Sequence, residues 1–146
     1  MKEKFVNLYM DWARRAAQLS HARRLNVGAV IVKDDTVISY GYNGTPAGWD
    51  NNCEDVIQYS DDTTALKTKP EVLHAERNAL DKLAKRGGVG GQGAAMFVTH
   101  APCLECAKSI YGVGIKEVYY GEEYRNTDGI EFLKKCSVSI EKIQQK

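Results

Sequence analysis

Short runs of β-branched and aromatic residues alternate along this chain with segments of helical periodicity. In residues 3–19 apolar side chains recur at steps of three and four, which is typical of an amphipathic helix. The sequence predicts further helices over about 73–84, 103–111 and 128–135, and strands over 27–33, 36–42, 94–99, 115–120 and 137–143. This order, αββαβαβαβ, predicts an α/β protein whose sheet is covered by helices on both faces, with at least one parallel crossover.

Turn-forming residues divide these elements. Asp34 and Asp35 separate the first two strands and predict a tight hairpin, and Gly87-Gly88 follows the second helix as a glycine commonly does. The segment from Asn43 to Lys69 is polar and rich in turn residues. A segment this long within a small domain usually carries function or is partly helical. We interpret it as a functional loop.

Length and composition exclude several classes of protein. A chain of 146 residues can bury one hydrophobic core, so we expect a single domain over residues 1–146. Apolar residues make up 43% of the chain and charged residues 27%, which is globular rather than disordered composition. The formal net charge of +1 gives no field for non-specific binding, which disfavours DNA or RNA as an obligate partner.

The sequence also predicts where the protein resides. Its N-terminal segment lacks the apolar stretch of a secretory signal, and the longest apolar or glycine run, Val27–Val32, is far too short to span a bilayer. We therefore expect a cytoplasmic protein without a transmembrane helix. In that reducing compartment the four cysteines should be thiols or metal ligands rather than disulfides.

Three side chains that commonly bind metal ions are spaced so that they can share one ion. Cys103 and Cys106 stand three positions apart, so both sulfurs can face one ion from the first turn of a helix, where the helix dipole favours thiolate. His74 can add a nitrogen ligand. Three protein ligands leave the fourth position of a tetrahedral Zn²⁺ open for water, which is the arrangement of a catalytic zinc site.

Glu76 is the candidate base of that site. Side chains two positions apart on a helix point in directions about 200° apart around its axis. His74 and Glu76 therefore cannot both face one point from mid-helix. The difficulty disappears if His74 lies at the entrance of the helix. Water on such a zinc ion should then titrate near ~7, and Glu76 can take its proton.

Two other zinc arrangements are open. The three donors can be part of a structural site with Cys53 or His100 as a fourth ligand, although a closed site has no use for Glu76. Cys53 with His21 or His100 is a candidate second zinc site, on weaker spacing.

The combination of H-x-E with a later P-C-x-x-C is the signature of zinc nucleobase deaminases. The segment GYNGTPAGWD at 41–50, with Cys53-Glu54 after it, closely resembles a loop of the deoxycytidylate deaminases, which convert dCMP to dUMP and ammonia. Likeness to this family covers nearly the whole chain in order, through Ser20, Val27–Val32, Asn78-Ala79, Phe97–Thr99, PCLEC at 102–106 and Tyr119–Tyr124. The resemblance implies a three-layer α/β/α cytidine-deaminase-like fold with a central mixed five-stranded sheet.

The resemblance also implies roles in the reaction. Zinc on His74, Cys103 and Cys106 would supply the hydroxide that attacks C4 of cytosine. Glu76 would be the proton shuttle, to N3 and then to the departing amine.

Further roles concern the nucleotide. By the same resemblance, Asn43 would hold the deoxyribose, the backbone around Ala75 and Ala101 would read the base edge, and Tyr124 would lie near the sugar or phosphate.

Family members are commonly hexamers that dCTP activates and dTTP inhibits, with Mg²⁺ on the triphosphate. The resemblance implies an effector site in the glycine-rich loop, with candidates Gly41, Tyr42, Gly44 and Thr45.

The chain departs from the family at residues 21–26, HARRLN, where a Lys-Asp-Pro type segment is usual. Arginine suits bidentate phosphate binding, so we hypothesise that Arg23 or Arg24 contacts a substrate or effector phosphate. Asn26 is a further candidate substrate contact. The alternative is a solvated charged loop. Some viral relatives deaminate both dCMP and dCTP, and altered phosphate contacts here can widen the substrate range in that way.

Three functions therefore compete. They are a deaminase of free deoxycytidine nucleotides, which we favour, a nucleic-acid base deaminase, and a zinc module without catalysis.

Overall fold

A computed structural model describes residues 1–144 and bears out the predicted alternation of strands and helices. In chain order the elements are α1 (Glu3–Ala17), β1 (Gly28–Lys33), β2 (Thr36–Tyr42), β3 (Glu54–Gln58), β4 (Thr64–Thr68), α2 (Ala75–Arg86), β5 (Ala95–His100), α3 (Leu104–Gly112), β6 (Glu117–Glu122), α4 (Asp128–Lys135) and β7 (Ser139–Lys142). No helix within residues 1–144 combines the length and the apolar character needed to span a bilayer.

Five strands form the central sheet, in the order β2-β1-β5-β6-β7. The pairs β2/β1 and β1/β5 are antiparallel, whereas β5/β6 and β6/β7 are parallel. The expected mixed five-stranded sheet is confirmed. Two parallel pairs satisfy the prediction of at least one parallel crossover, and α3 and α4 make the two connections.

Helices cover both faces of the sheet, which confirms the three-layer α/β/α arrangement. Helix α1 packs on one face, where Met10 and Ala13 share a core with Val30 and Phe97. Helices α2, α3 and α4 cover the other face, and their buried side chains join those of the alternate strand positions: Leu83, Ile110 and Leu133 with Ile31, Met96 and Val118. Burial of each such aliphatic side chain contributes about 1.5–3 kcal/mol, so the two cores hold the layers together.

The predicted turn residues have the expected conformations. Asp34 and Asp35 both have positive φ, 51° and 57°, as a two-residue hairpin turn of type I′ requires. Helix α2 ends at Arg86 and is followed by Gly87 with φ of 73°, a conformation that glycine adopts without strain.

The interpretation of residues 43–69 as a loop is wrong for its second half. Strands β3 and β4 form an antiparallel hairpin that is a separate two-stranded sheet. Glu54 is the single buried residue of either strand. Because neither face of the hairpin is apolar, its sequence lacks the alternating pattern by which a half-buried strand is predicted.

Candidate active site

His74 immediately precedes α2 in an extended conformation, with φ of −71° and ψ of 155°. The preceding residue, Leu73, pairs with Gly44 through backbone hydrogen bonds of 2.8 and 3.1 Å. A methyl group added to Gly41 would lie 2.4 Å from the carbonyl oxygen of Ala75, so β2 lies directly against the start of α2. These contacts fix the segment that carries His74.

The two cysteines lie at the start of α3. Cys103 precedes the helix in extended conformation, and Cys106 lies in its first turn. Their Sγ atoms are 3.6 and 3.3 Å from Nδ1 of His74. The starts of two helices therefore bring His74 together with two cysteines that lie 29 and 32 positions later in the sequence.

The donor geometry fits a tetrahedral zinc ion. All three ligand atoms lie within 4.8 Å of one another. Zinc bonds of about 2.3 Å to sulfur and about 2.0 Å to nitrogen, at a tetrahedral angle, separate the two donors by about 3.5 Å. The sulfur–nitrogen distances here match that separation. Two soft thiolates and one imidazole suit zinc better than magnesium or calcium, which prefer oxygen ligands.

Within residues 1–144, these three side chains are the one group of three or more His, Cys, Asp or Glu donors close enough together to share an ion. Among the described residues, therefore, neither Cys53 nor His100 joins the cluster as a fourth ligand, and Cys53 belongs to no other group of three donors.

The cysteine thiols have unequal proton affinities. Hydrogen bonds with Cys106 and His74 lower the pKa of the Cys103 thiol to about 3. The hydrogen bond with Cys103 and burial raise the pKa of the Cys106 thiol. A bound cation would displace the thiol protons and hold both sulfurs as thiolates.

Glu76 is the buried carboxyl group beside these donors. It lies in the first turn of α2, is only 4% exposed and is not part of the three-donor cluster. Burial raises its pKa to about 7. Because His74 stands in extended backbone before the helix, a ligand and a non-ligand carboxylate two positions apart can face the same site. The expected position of His74 at the helix entrance is confirmed.

A cavity of about 170 Å³ opens at this site. It brings together eight of the residues that the sequence singled out: Arg24, Asn43, His74, Ala75, Glu76, Ala101, Cys103 and Tyr124. Cys106 lines a second cavity, together with His74, Arg77 and Glu105.

Asn43 is held by the segment that it faces. Its Nδ2 donates to the carbonyl oxygen of Leu25 at 2.7 Å, and its Oδ1 accepts the backbone N–H of Val27 at 2.9 Å. The side-chain amide therefore joins the end of β2 to the segment before β1, and it does so at the wall of the cavity.

The structure distinguishes the two arginines of segment 21–26. Arg24 lines the cavity near Tyr124; burial raises the pKa of the Tyr124 hydroxyl, and the charge of Arg24 opposes that rise. The side chain of Arg23 instead contacts Glu54 and Asn52. Asn26 also lies outside the cavity, where its Nδ2 donates to the carbonyl oxygens of Ser20 and Ala22.

The four effector candidates do not line the cavity. Gly41 and Tyr42 end β2, and Gly44 and Thr45 lie in the segment that follows it. Gly41 and Gly44 make the backbone contacts with residues 73–75 described above. The carbonyl oxygen of Tyr42 accepts a hydrogen bond from Asn78 Nδ2 at 2.8 Å, and Thr45 Oγ1 donates to the carbonyl oxygen of Asp50 at 2.8 Å.

Other cavity residues have no role in the deaminase site predicted from the sequence, where Cys53 and His100 are only alternative zinc ligands. The rest are chiefly apolar or small, and the exceptions with polar groups are Glu54 and Thr68. His100 stacks edge-on with Tyr124, with 6.4 Å between ring centroids. The only feature of the sequence that drew attention to Glu54 is its position next to Cys53. The spacing between Glu54 and the two arginines does not predict that they contact each other.

The residues from 3 to 122 match the family model described as "Cytidine and deoxycytidylate deaminase zinc-binding region". The chain belongs to this family. The deaminase signature read from the sequence thus coincides with the site that the structure builds.

Similar proteins span viruses, bacteria and fungi. The ComE operon protein 2 of Bacillus subtilis is 37% identical over 137 residues, which are 93% of this chain and 69% of that protein. The deoxycytidylate deaminase of Saccharomyces cerevisiae is 35% identical over 148 residues, 96% of this chain and 45% of the yeast protein. The crystal structure of the dCMP deaminase of cyanophage S-TIM5 with dCMP and dUMP is similar with a TM-score of 0.86 and 42% identity, covering 98% of this chain and 99% of that one.

Proposed function

We propose that this deaminase-family protein hydrolyses dCMP to dUMP and ammonia, as part of pyrimidine deoxynucleotide synthesis. The observation that carries the proposal is the buried, non-ligand Glu76 beside the His74, Cys103 and Cys106 cluster, in a cavity bordered by Arg24. The similarity of the whole chain to a dCMP deaminase crystallised with dCMP and dUMP supports the choice of substrate.

His74, Cys103 and Cys106 would hold the zinc ion. When bound, zinc would lower the pKa of a water molecule to about 7, so that hydroxide is available at neutral pH to attack the C4 carbon of cytosine. Glu76 takes up a proton from the attacking water and delivers one to N3 of the ring. The same carboxylate then takes the proton of the new C4 hydroxyl group and carries it to the exocyclic amine. The C4–N bond breaks as the C4 carbonyl forms, and ammonia is released.

The remaining cavity residues would bind the nucleotide. The backbone of Ala75 and Ala101 would contact the base edge, and Asn43 would contact the deoxyribose. Arg24 and Tyr124 would contact the sugar and phosphate end. Of the two candidate arginines, Arg24 is the one whose surroundings suit this role, because the Arg23 guanidinium is already paired with Glu54.

Regulation is a further part of the proposal. The protein would be a hexamer that dCTP activates and dTTP inhibits, with Mg²⁺ on the triphosphate. The effector would contact Gly41, Tyr42, Gly44 and Thr45. These residues adjoin the His74 segment through the Gly44–Leu73 pairing, so binding there has a direct path to a zinc ligand.

A second candidate function is deamination of both dCMP and dCTP. The observation that favours it is the exposed Arg24, whose side chain makes no hydrogen bond or ion pair within residues 1–144 and can follow a longer phosphate chain.

Ammonia release from dCMP, dCTP, deoxycytidine and cytidine tests these functions. We expect dCMP to be the best substrate, the activity to disappear when a chelator removes zinc, and zinc to restore it. Equal rates with dCMP and dCTP would select the second candidate, and no release from any of the four would overturn both. Rates that ignore added dCTP and dTTP with Mg²⁺, or a mass in solution below that of a hexamer, would overturn the proposed regulation and assembly.

A further inference from the structure

Glu54 is a buried carboxylate at the cavity wall that plays no part in the chemistry described so far. It begins β3, and the residue is only 2% exposed. Its Oε2 accepts the backbone N–H groups of both Arg23 and Arg24, each at 2.9 Å. Its Oε1 makes no hydrogen bond and faces Nε of Arg23 at 3.4 Å. A charge this deeply buried is costly unless such partners compensate it.

The carboxylate directs the two neighbouring arginines to different places. It pairs with the Arg23 guanidinium, which also donates a hydrogen bond to Asn52 Oδ1 at 3.1 Å. The next side chain, Arg24, is left to the cavity. Glu54 therefore both holds the backbone at these two residues and prevents Arg23 from competing for an anion in the cavity.

A second side chain holds the other end of the same segment. Asn43 binds the carbonyl oxygen of Leu25 and the N–H of Val27, immediately after Arg24. Arg24 thus lies between two sets of hydrogen bonds, one made by Asn43, which directly follows β2, and the other by Glu54 of β3. A guanidinium whose backbone is fixed in this way loses less conformational freedom when it binds a phosphate.

We propose that Glu54 is a positioning residue for phosphate recognition: it holds Arg24 at the cavity, and Arg24 selects the 5′-phosphorylated nucleotide over the free nucleoside. The inference rests on the proposed function for the identity of the substrate. It adds a residue outside the zinc site that determines which form of deoxycytidine the enzyme prefers.

The test compares kcat and KM for dCMP and for deoxycytidine in the zinc-loaded protein. Glu54→Gln removes the charge that pairs with Arg23 and turns an amide N–H₂ toward it. We expect KM for dCMP to rise about tenfold, the equivalent of about 1.4 kcal/mol, with kcat for dCMP and both constants for deoxycytidine unchanged. Asp55→Asn is the matched control, since Asp55 is the next carboxylate on β3 and its side chain is 63% exposed. It should leave all four constants unchanged.

An Arg24→Ala background separates positioning from general structural damage. Arg24→Ala alone should raise KM for dCMP and not for deoxycytidine, and Glu54→Gln should then add no further rise. An equal effect of Glu54→Gln on both substrates, or an undiminished effect in the Arg24→Ala background, would overturn the inference.

Arg23→Ala is the second variant, for the case that Glu54→Gln does not fold. It leaves both backbone hydrogen bonds to Glu54 and removes only the side-chain partner. Because Arg24 keeps its backbone position, we expect KM for dCMP and for deoxycytidine to stay unchanged, which supports the inference. A rise in KM for dCMP would show that the Arg23 side chain itself takes part in phosphate binding and would overturn the inference. If the wild-type protein deaminates neither substrate, the proposed function fails. Calorimetric affinities for dCMP and deoxycytidine would then still report whether Glu54 and Arg24 select the phosphate.

Discussion

Gly129 lies directly against Pro102. A methyl group added at Gly129 would come within 2.1 Å of the Pro102 carbonyl oxygen and within 2.9 Å of the Cys103 carbonyl carbon. The first turn of α4 thus packs on the backbone of Cys103, one of the three candidate zinc donors, although Gly129 lies outside the cavity and the donor cluster.

We expect Gly129→Ala to displace Cys103 and weaken zinc binding. The overlap is with backbone atoms, so the start of α3 must shift, and such overpacking costs about 1–3 kcal/mol of stability. Competition with a zinc-binding dye and urea unfolding would measure both effects. Gly112→Ala in α3, where an added methyl group meets nothing within 4 Å, is the matched control. Equal zinc affinity of the two variants would contradict the prediction.

Cys106→Ser is expected to lose zinc and stability together. Replacing a thiolate ligand removes one of three protein bonds to the ion, and zinc that binds only the folded state stabilises it. Zinc content by atomic absorption should fall, and the thermal unfolding midpoint should no longer respond to a chelator. Cys136→Ser, at the end of α4, should retain both zinc and chelator sensitivity. Full zinc content in Cys106→Ser would show that the ion is held elsewhere.

His100 is expected to make the protein less stable in acid. Partial burial lowers the pKa of its imidazole, and the nearby Glu122 offsets only part of that effect. Thr99 Oγ1 also lies 3.0 Å from Nδ1. The unfolded chain therefore binds this proton more readily than the folded one. The free energy of unfolding should fall as the pH drops below about 6.5, the ordinary pKa of histidine, until the folded-state pKa is passed.

Urea unfolding of zinc-loaded wild type and His100→Gln between about pH 8 and pH 5 measures this contribution. The stability of wild type relative to His100→Gln should decrease as the pH falls. The exposed His21 provides the control, because His21→Gln should follow the wild type across the range. A constant difference between wild type and His100→Gln would contradict the assignment.

The clustering of His74, Cys103 and Cys106 as candidate metal donors could be predicted from the sequence, because residue type and spacing carry that chemistry directly. Two thiols three positions apart at a helix start can bind one ion whatever the rest of the fold does. The five central strands were also predictable, since β1, β2, β5 and β6 bury apolar side chains on at least one face. In β7 the partly buried Ile140 alternates with exposed polar residues.

The hairpin and Glu54 could not be predicted in the same way. Strand β3 exposes polar or charged side chains on both faces, and therefore lacks the periodicity that reports burial. The partners of Glu54 lie 30 and 31 positions earlier in a segment without regular structure. Only the folded chain reveals that one carboxylate accepts the backbone N–H groups of both arginines and pairs with the side chain of Arg23.

The central claim is that Glu76 moves protons beside a zinc ion that it does not bind. Its most direct test is the zinc content and kcat for dCMP of wild type, Glu76→Gln and Glu105→Gln, the last being an exposed carboxylate between the two cysteine ligands. We predict full zinc content in all three, with kcat reduced at least ~10²-fold in Glu76→Gln alone. Turnover by Glu76→Gln at the wild-type rate, or loss of its zinc, would contradict this role.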